Sequence, residues 1–592
     1  KLKKKIINRA IAKMRMVVLY GSQTGTAQNV AERIWRESKT WGFSGPVLPM
    51  DEYPVQQLIE EKLAIFVVAT TGNGDEPDNM RKTWKFLLRR SLPVDSLRYL
   101  KFACLGLGDS SYAKFNFAAK KLNKRLIQLG GHAIQPLGLC DDQHDHGLGA
   151  TALPWITQLF NVTLLPFHPS KCSGKAKNIF KWNVNCLEPE MALFKDSMPK
   201  WFLSSEAISL TLKENRRTTH VEHFQDVRFL RFDFPSDVKW NAGDVLELVP
   251  SNSDEQVLKF FELVKEHNLD FNEKTIVKLE SAYDDMPVPF VYAAPISVGM
   301  LAKYVWDLSA CPNQRAFEVL SLNCEDEMEK EKLEEFATIE GLEYLINYVN
   351  RPRRTILEVL QDFRHSTSKL KLPNLFEMFT VIQPRSFSIA SMPTTLSLDL
   401  LVAVVEYKTK MSTKRLGLCS NWLKSLPTGS TVVGVIKNGT MSLPSEPSTP
   451  IIMVGPGTGI APFRSVIQYR KEQQNTGAKI GDLIVFFGCR NKTKDYHFSE
   501  DFSNWQKENF CETFVAFSRD QERKVYVQHL IKEQKERLSE LIMDKMAVIL
   551  VAGSSNNMPK AVREAFIEVI NGNEEYLEHM IKSRRYQEET WS

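Results

Sequence analysis

The sequence predicts a multidomain α/β and β protein: a doubly wound parallel domain, an antiparallel β-barrel with a helical insertion, and a second α/β domain. Short apolar strands alternate with helical patterns over residues 16–163, and the same alternation returns from Pro450 onward. Between these regions, stretches such as 230–234 (LRFDF) and 398–405 carry apolar residues at alternate positions, which is typical of strands with one buried face. A chain of 592 residues is long enough for several such domains.

The composition excludes several functional classes. Hydrophobic residues make up 43% of the chain and charged residues 25%, as in ordinary globular proteins. The nine cysteines are scattered without a CxxC pair, so neither a disulfide framework nor a metal site is expected. The formal charge of +5 comes from residues 1–15, which hold seven basic groups and no acid. The rest is close to neutral, so no nucleic-acid partner is expected.

The domain limits follow from changes in pattern. The predicted order is a basic N-terminal extension (1–15), the first α/β domain (16–163), a linker without periodicity (164–203), the barrel domain (204–444) with a helical insertion at about 252–375, and the second α/β domain (445–592). The insertion opens with apolar residues at helical spacing from Val257 to Val264, with Asn252 or Ser253 as the cap and acids in the first turn. No apolar run approaches the roughly 20 residues that span a bilayer, so integral membrane association is not expected.

In the first α/β domain, each predicted strand runs into a polar, glycine-rich turn. The strands are Met16–Tyr20, Leu63–Ala69, Phe102–Leu107 and Ala133–Leu139, and the first leads through YGSQTGTAQNV into a helix that opens at Ala27. Because the carboxyl ends of parallel strands meet at one edge, the turns should form one ligand site.

The turn after the first strand predicts a phosphate site without a lysine. Its hydroxyls and amides suit a single phosphate monoester rather than a nucleoside triphosphate, and the predicted contacts are Ser22, Gln23, Thr24, Gly25, Thr26 and Ala27. Two further turns at the same edge add Thr70, Thr71, Gly72, Asn73, Gly74, Leu107, Gly108, Asp109 and Tyr112. Tyr112 can stack on a flat ring, although an ordinary surface aromatic is the alternative.

These turns resemble the flavodoxin-like domain of the diflavin reductases. The resemblance implies that the phosphate of FMN lies on residues 22–27 and that the isoalloxazine lies against Tyr112. It adds Phe115, Asn116 and Asp142 to the predicted FMN site.

Two elements of the barrel resemble those that bind FAD in ferredoxin–NADP reductases. In RSFSIAS, Arg385 can neutralise a pyrophosphate, Phe387 can stack on a flavin, and Ser388 can place a hydroxyl near flavin N5. A buried Arg–Ser strand end is the alternative. The second element opens a helix whose N–H groups suit a pyrophosphate, and its predicted contacts are Gly417, Leu418, Cys419 and Ser420.

The stretch PIIMVGPGTGIAPFR, 450–464, resembles the nicotinamide-dinucleotide loop of the same reductases. The predicted strand ends at Val454, the helix begins near Ala461, and Gly457 and Thr458 are the predicted contacts. Residues 517–529 follow another strand and supply hydroxyls and cations for the 2′-phosphate of NADPH: Ser518, Arg519, Lys524, Tyr526 and Gln528. A solvated charged loop is the alternative for this segment.

The order of the sites identifies the chain as a member of the cytosolic diflavin reductase family, related to the microsomal cytochrome reductase. The resemblance implies a flavodoxin-like domain, an antiparallel β-barrel FAD domain and an NADP-binding domain of ferredoxin–NADP reductase type. It also implies electron transfer from NADPH to FAD to FMN. Ser388 and Glu589 would then lie at the FAD–nicotinamide contact, Ala552 would stand where relatives have a cysteine, and Trp591 would cover the FAD ring.

The same resemblance implies a cytoplasmic enzyme, expected to be a monomer, that serves an anamorsin-type iron–sulfur protein in cytosolic iron–sulfur cluster assembly. Acids cluster in the turns predicted at the FMN and could steer a basic partner: Asp75, Glu76, Asp78, Asp109, Asp141, Asp142 and Asp145. Two other interpretations stay open. One is a microsomal-type reductase for haem proteins, and the other is a non-catalytic flavin-binding redox sensor or scaffold.

Overall fold

The computed structural model describes residues 14–72, 74–112, 114–167, 175–188, 206–234, 238–393 and 397–591. These residues form two compact units. The first unit joins the chain up to residue 198 with residues 252–383 and 409–412. The second unit joins residues 199–251, 384–408 and 413–592. The first α/β domain and the helical insertion therefore share one unit, and the barrel shares the other with the second α/β domain.

The first unit contains a parallel sheet with helices packed against it. Its strands lie in the order Val47–Pro49, Val17–Gly21, Leu63–Ala69, Lys101–Gly108 and His132–Ala133, and Gly138–Asp141 also pairs with Lys101–Gly108. The helices of this domain are Thr26–Thr40, Arg81–Leu87, Phe117–Gln128 and Gly149–Gln158. Apolar strands buried on both faces, such as Leu63–Ala69, are those expected of a doubly wound sheet.

The predicted strand Ala133–Leu139 is wrong as a single element. Two short strands, His132–Ala133 and Gly138–Asp141, pair separately with Lys101–Gly108. Pro136 lies between them, and a proline has no N–H with which to continue the ladder.

The insertion is mainly helical. Its helices are Asp254–Glu266, Val298–Met300, Gln314–Leu322, Glu327–Phe336, Leu342–Leu345, Ile356–Asp362, Arg364–Thr367 and Leu372–Met378. The strand Trp182–Leu187, which lies within the predicted linker, pairs with Ile276–Ser281, so part of that segment is regular structure. Buried charges join this insertion to the first domain, since Glu377 pairs with Arg315 at 3.0 Å and with Arg36 at 3.9 Å.

The second unit begins with a six-stranded antiparallel sheet. Its order is Arg385–Ser388, Val245–Leu248, Thr431–Lys437, Ile208–Arg217, Val227–Asp233 and Ser397–Ala403, followed in the chain by the small pair Glu406–Tyr407 and Arg415–Leu416 and the helix Leu418–Ser425. An antiparallel bridge between Ile389 and Leu400 joins the two outer strands. The sheet thereby closes into a barrel around apolar side chains such as Phe232 and Leu246.

A second parallel sheet completes this unit. Its order is Glu512–Phe517, Leu483–Cys489, Ile451–Val454, Val548–Ser554 and Tyr586–Trp591, and its helices are Ala461–Asn475, Ser499–Lys507, Val527–Glu533, Lys535–Met543, Asn557–Val569 and Glu574–Lys582. The predicted strand end at Val454 and helix start near Ala461 are confirmed. In the described ranges, no helix is long and apolar enough to cross a bilayer.

Candidate functional site

The first two turns of the parallel sheet in the first unit are tied to each other. The Ser22 N–H donates to Asn79 Oδ1 at 2.8 Å. Gln23 Nε2 donates to Asp78 Oδ2 at 3.2 Å, and the Asp78 N–H donates back to Gln23 Oε1 at 3.0 Å. The Gln23 side chain therefore holds the turns together. Asn79 is not among the residues that the sequence predicts for this site, and its only signal is its place at the end of a polar Pro-Asp-Asn run.

The first turn leaves a helix N-terminus open for an anion. Ser22 Oγ accepts from the Gly25 N–H at 3.0 Å, and Gly25 takes a left-handed φ of 92°. The helix Thr26–Thr40 has no side-chain cap and no acid in its first turn. Thr24 and Thr26 are exposed, whereas Ala27 is buried. The Thr24 and Thr26 hydroxyls lie 3.4 Å apart, and together with the uncapped helix N-terminus they fit the phosphate monoester of FMN.

The other turns at this edge are organised from within by buried polar contacts. Thr70 Oγ1 accepts from the Ala118 N–H at 3.2 Å, and the buried Asn116, at φ 55°, donates through Nδ2 to the Cys140 carbonyl at 2.9 Å. A Cβ on Gly108 would come within 2.9 Å of the Asn116 nitrogen, so only glycine fits there. Thr70 and Asn116 thus shape the site, and the half-buried rings of Tyr112 and Phe115 are left for a flat ligand.

The remaining predicted FMN contacts lie in tight turns. The Thr71 N–H donates to the Asp75 carbonyl at 3.0 Å across Gly72 and Gly74, which both have positive φ; Asn73 lies outside the described residues. The Asp142 N–H donates to the Gly108 carbonyl at 2.9 Å, next to Leu107. Asp109 accepts from the Ser111 N–H at 2.8 Å. Backbone geometry here fixes the turns before any ligand binds.

In the second unit, the first predicted flavin element is a barrel strand. Phe387 lies opposite Leu246 and Ser388 opposite Val245 in the antiparallel ladder. Arg385 is exposed, and Phe387 and Ser388 are half-buried. Arg385 and Phe387 lie on one face of this strand, where a pyrophosphate and a ring could be held, and Ser388 lies on the other face.

The second flavin element offers backbone groups rather than side chains. Cys419 is 6% exposed in the barrel core, and burial raises the pKa of its thiol to about 12. Ser420 Oγ accepts from the Val405 N–H at 3.0 Å. The side chains at these two positions therefore serve the protein interior, which leaves the predicted pyrophosphate contact to the backbone N–H groups. The helix Leu418–Ser425, preceded by Gly417, has neither a side-chain cap nor an acid in its first turn, so its N–H groups fit the pyrophosphate of FAD.

The glycine loop after Ile451–Val454 leaves no room for a side chain at two of its three glycines. A Cβ on Gly459 would collide with the Ala552 carbonyl, and one on Gly455 would lie 2.7 Å from the Gly459 carbonyl. Gly457, next to Thr458, has φ 59° and open space around it. The helix Ala461–Asn475 that follows is again uncapped and free of acids in its first turn. A dinucleotide can approach the backbone here directly.

The predicted 2′-phosphate residues follow the strand Glu512–Phe517. The N–H groups of Ser518 and Arg519 each donate at 2.9 Å to the end of the neighbouring strand, at the carbonyls of Cys489 and Arg490. The Arg519 and Lys524 side chains are exposed, and within the described ranges neither forms an ion pair. Tyr526 is exposed and Gln528 half-buried at the start of Val527–Glu533. Unpaired cations beside hydroxyls suit a phosphate dianion.

Three distant segments meet at the predicted reaction centre. Ser388 Oγ donates to Glu589 Oε1 at 3.1 Å, and Thr440 Oγ1 donates to Glu589 Oε2 at 2.7 Å. Ala552 is the strand neighbour of Glu589, and Trp591 ends the same strand, 37% exposed. Sequence reasoning missed Thr440, whose only signal was an Asn-Gly turn after a strand.

The helix after the glycine loop is hydrogen-bonded to the segment that follows Ser388. Arg464 donates through one nitrogen to the Ala390 carbonyl at 2.8 Å and to Asp399 Oδ2 at 3.1 Å. Ser465 Oγ donates to the Ser391 carbonyl at 2.7 Å. These contacts fix the nicotinamide loop relative to the flavin strand. Asp399 was also missed, although an acid within an apolar strand is a usable signal.

Comparisons with known proteins agree with this architecture. Three family models match in chain order: flavodoxin over residues 18–155, FAD binding domain over 202–422, and oxidoreductase NAD-binding domain over 453–564. Relatives named NADPH-dependent diflavin oxidoreductase 1 align with almost the whole chain. The protein from Danio rerio is 41% identical over 98% of this chain and 99% of its own length. The protein from Xenopus laevis is 42% identical over the same shares.

The chain belongs to the NADPH-dependent diflavin oxidoreductases.

Membership extends to distant relatives, since the Schizosaccharomyces pombe protein is 34% identical over 97% of this chain and 99% of its own. The family assignment makes the chain an oxidoreductase whose cofactors are FMN, FAD and NADPH. The flavodoxin match covers the FMN turns of the first unit, and the other two matches cover the flavin elements, the glycine loop and the 2′-phosphate segment of the second unit. When bound, these groups supply hydride transfer and one-electron transfer, and the protein supplies position and charge.

Proposed function

We propose that this diflavin oxidoreductase carries electrons from NADPH through FAD and FMN to a soluble iron–sulfur protein of anamorsin type, in cytoplasmic iron–sulfur cluster assembly. The proposed hydride transfer from NADPH rests on one observation, the 3.1 Å hydrogen bond from Ser388 Oγ to Glu589 Oε1 beside the glycine loop. The identity of the acceptor rests on the family resemblance and on the charges around the FMN turns.

Ser388, Thr440 and Glu589 act together at the nicotinamide. The two hydroxyls orient the Glu589 carboxylate, each donating to a different oxygen. A bound nicotinamide would supply the hydride, and the fixed Glu589 carboxylate beside it would stabilise the positive charge left on the ring. The Arg464 contacts to the Ala390 segment keep this geometry constant between turnovers.

Arg519 and Lys524 select NADPH over NADH. Ser518 lies beside Arg519, directly after the strand Glu512–Phe517. Both cations are exposed at the end of Glu512–Phe517 and without a partner of opposite charge in the described ranges, so the 2′-phosphate supplies one. The Arg519 N–H donates to the Arg490 carbonyl, which fixes the Arg519 backbone. Less conformational entropy is therefore lost when NADPH binds.

At the FMN turns, the structure reduces the predicted acidic patch to three exposed carboxylates. Glu76 pairs with Lys121, and Asp78 pairs with Arg81 at 3.0 Å. Asp141 accepts from the N–H groups of Ser110 and Gln143, which makes it a structural residue of its turn. The exposed carboxylates are Asp75, Asp142 and Asp145. They would steer a basic partner toward the FMN and raise its association rate at low salt.

The test is stopped-flow reduction of a purified anamorsin-type protein at several salt concentrations. Asp75→Lys with Asp145→Lys should slow this reduction at low salt and converge with wild type at high salt, while NADPH-driven ferricyanide reduction stays unchanged. Asp270→Lys with Asp284→Lys, two exposed acids of the insertion, makes the same charge change away from the FMN turns. Equal effects of both pairs would contradict the docking site.

The two other interpretations have distinct signatures in the same assays. An enzyme that reduces membrane-bound haem proteins but not the iron–sulfur protein would be a reductase of microsomal type. A chain that binds both flavins but turns over no acceptor with NADPH would be a redox sensor or scaffold.

A further inference from the structure

The parallel sheet of the first unit has an apolar surface at the edge opposite the FMN turns. Four side chains are unusually exposed there: Leu88 at 50%, Val94 at 79%, Tyr99 at 66% and Ile127 at 50%. They come from the end of Arg81–Leu87, the loop that follows it, and the end of Phe117–Gln128. The Arg125 side chain donates to the Leu87 carbonyl at 2.7 Å, which holds the two helix ends side by side.

The same surface is strongly basic. Residues 81–132 contain twelve lysines and arginines against two acids. Four of these cations are exposed around the apolar side chains: Lys85, Arg89, Arg90 and Lys124. The ion pairs described for this part of the chain are Arg81–Asp78, Arg98–Asp95 and Lys121–Glu76, and none of them involves those four cations. The four cations and the four apolar side chains are called the basic–apolar face.

The basic–apolar face lies one strand length away from the FMN turns. The strand Lys101–Gly108 starts at the face and ends at the FMN, and at about 3.3 Å per residue this separates them by roughly 25 Å. An acceptor at the FMN therefore leaves the face free. Because the sheet is parallel, the chain also enters Val17–Gly21 at this edge, directly after the seven basic groups of residues 1–15.

We propose that the basic–apolar face docks the enzyme onto an anionic membrane surface. Cations beside exposed apolar and aromatic side chains are what an interfacial contact requires, since the cations meet lipid headgroups and the apolar groups enter the boundary with the acyl chains. A soluble polyanion would satisfy the cations but would leave Leu88, Val94 and Ile127 in water. The FMN edge stays turned away from the bilayer and remains open to a soluble acceptor.

The test is co-sedimentation of the purified holoenzyme with vesicles of phosphatidylserine and phosphatidylcholine, compared with vesicles of phosphatidylcholine alone. Wild type should bind the anionic vesicles only. Arg89→Glu with Arg90→Glu should weaken binding about 30-fold, because each basic residue at an anionic surface contributes about 1 kcal/mol. Val94→Ser with Tyr99→Ser should also weaken binding, although the charge is unchanged.

The matched control is Lys479→Glu with Lys507→Glu, which changes the net charge equally at exposed positions of the second unit and should leave vesicle binding intact. Every variant should keep both flavins and its rate of ferricyanide reduction. Equal loss in the face and control variants would overturn the proposal, as would absence of wild-type binding. If the Arg89–Arg90 variant lost vesicle binding and the Val94–Tyr99 variant did not, the face would be a site for polyanions rather than for a membrane.

Discussion

Five helices of the insertion and the three helices that follow the predicted phosphate loops begin in opposite ways. In the insertion, five helices start with an N-cap side chain that accepts a backbone N–H: Ser253, Ser297, Asn313, Asp326 and Thr355. The helices Thr26–Thr40, Leu418–Ser425 and Ala461–Asn475 have no side-chain cap and no acid in the first turn. In the first group, a side chain of the protein accepts from a backbone N–H at the start of the helix. In the second group no side chain does so, and these N–H groups can donate to a bound ligand.

The capped helix ends therefore contribute to the stability of the protein, whereas the open helix ends contribute to cofactor binding. A missing N-cap side chain leaves a helix less stable by about 1 kcal/mol, which a bound phosphate can offset. Changes at the open helix ends should therefore alter cofactor content or turnover, and changes at the capped ends should alter unfolding. The variants described next change either a site beside the open helix ends or a capped helix end.

The largest effect is expected at the first open end. Thr24→Glu places a carboxylate where the phosphate of FMN binds, so FMN should be absent from the purified protein while FAD remains. Flavin release and chromatography measure both. Met328→Glu adds the same charge to the first turn of the capped helix Glu327–Phe336, where the side chain is exposed, and should leave both flavins in place. Loss of FAD together with FMN would contradict this assignment of the loop.

Removal of both 2′-phosphate cations should have the next largest effect. Arg519→Ala with Lys524→Ala removes two charge-assisted contacts, which together should weaken NADPH binding by about 100-fold or more. The affinity for NADH should barely change, because NADH lacks the 2′-phosphate. Titration with both dinucleotides measures the ratio. An equal decline for both would mean that the segment shapes the fold rather than the selectivity.

A smaller effect is expected from Glu589→Gln, which removes the charge; its amide oxygen can still accept from Thr440, while its NH2 can donate to Ser388 Oγ. NADPH-driven flavin reduction should slow by roughly 10- to 100-fold, since a hydrogen bond or contact with a charged group is worth about 1.5–3 kcal/mol. The affinity for NADPH and the melting temperature should stay near wild type. Stopped-flow absorbance with deuterated NADPH would show whether hydride transfer itself is slowed.

The smallest effect belongs to a capped end. Ser253→Ala removes the hydroxyl that accepts from the Gln256 N–H at 3.2 Å and should lower the free energy of unfolding by about 1 kcal/mol. Denaturant titration measures this loss. Flavin content and turnover should not change, and a change in either would break the division between the two groups of helices.

The sequence by itself determined the local elements and their order. The strand Leu63–Ala69, the end of Ile451–Val454 and the start of Ala461–Asn475 follow from apolar runs, glycines and caps that act over a few residues. The family motifs likewise placed the three cofactor sites in chain order, because each motif is contiguous. Local pattern could not choose between Asn252 and Ser253 as a cap. Asn252 is instead buried and donates to the Ala302 and Trp306 carbonyls at 2.7 and 2.6 Å.

Only the tertiary structure decided which side chains face a ligand. The sequence predicts that backbone N–H groups at Cys419 and Ser420 meet the pyrophosphate, and the structure adds that the Cys419 side chain packs in the barrel core and the Ser420 side chain accepts from the Val405 N–H. Glu589 gained Thr440 as a second donor, although the two are far apart in sequence. Side-chain direction and long-range pairing depend on how strands close into a barrel and align in a sheet. Those relations arise between segments, so no spacing within one segment can encode them.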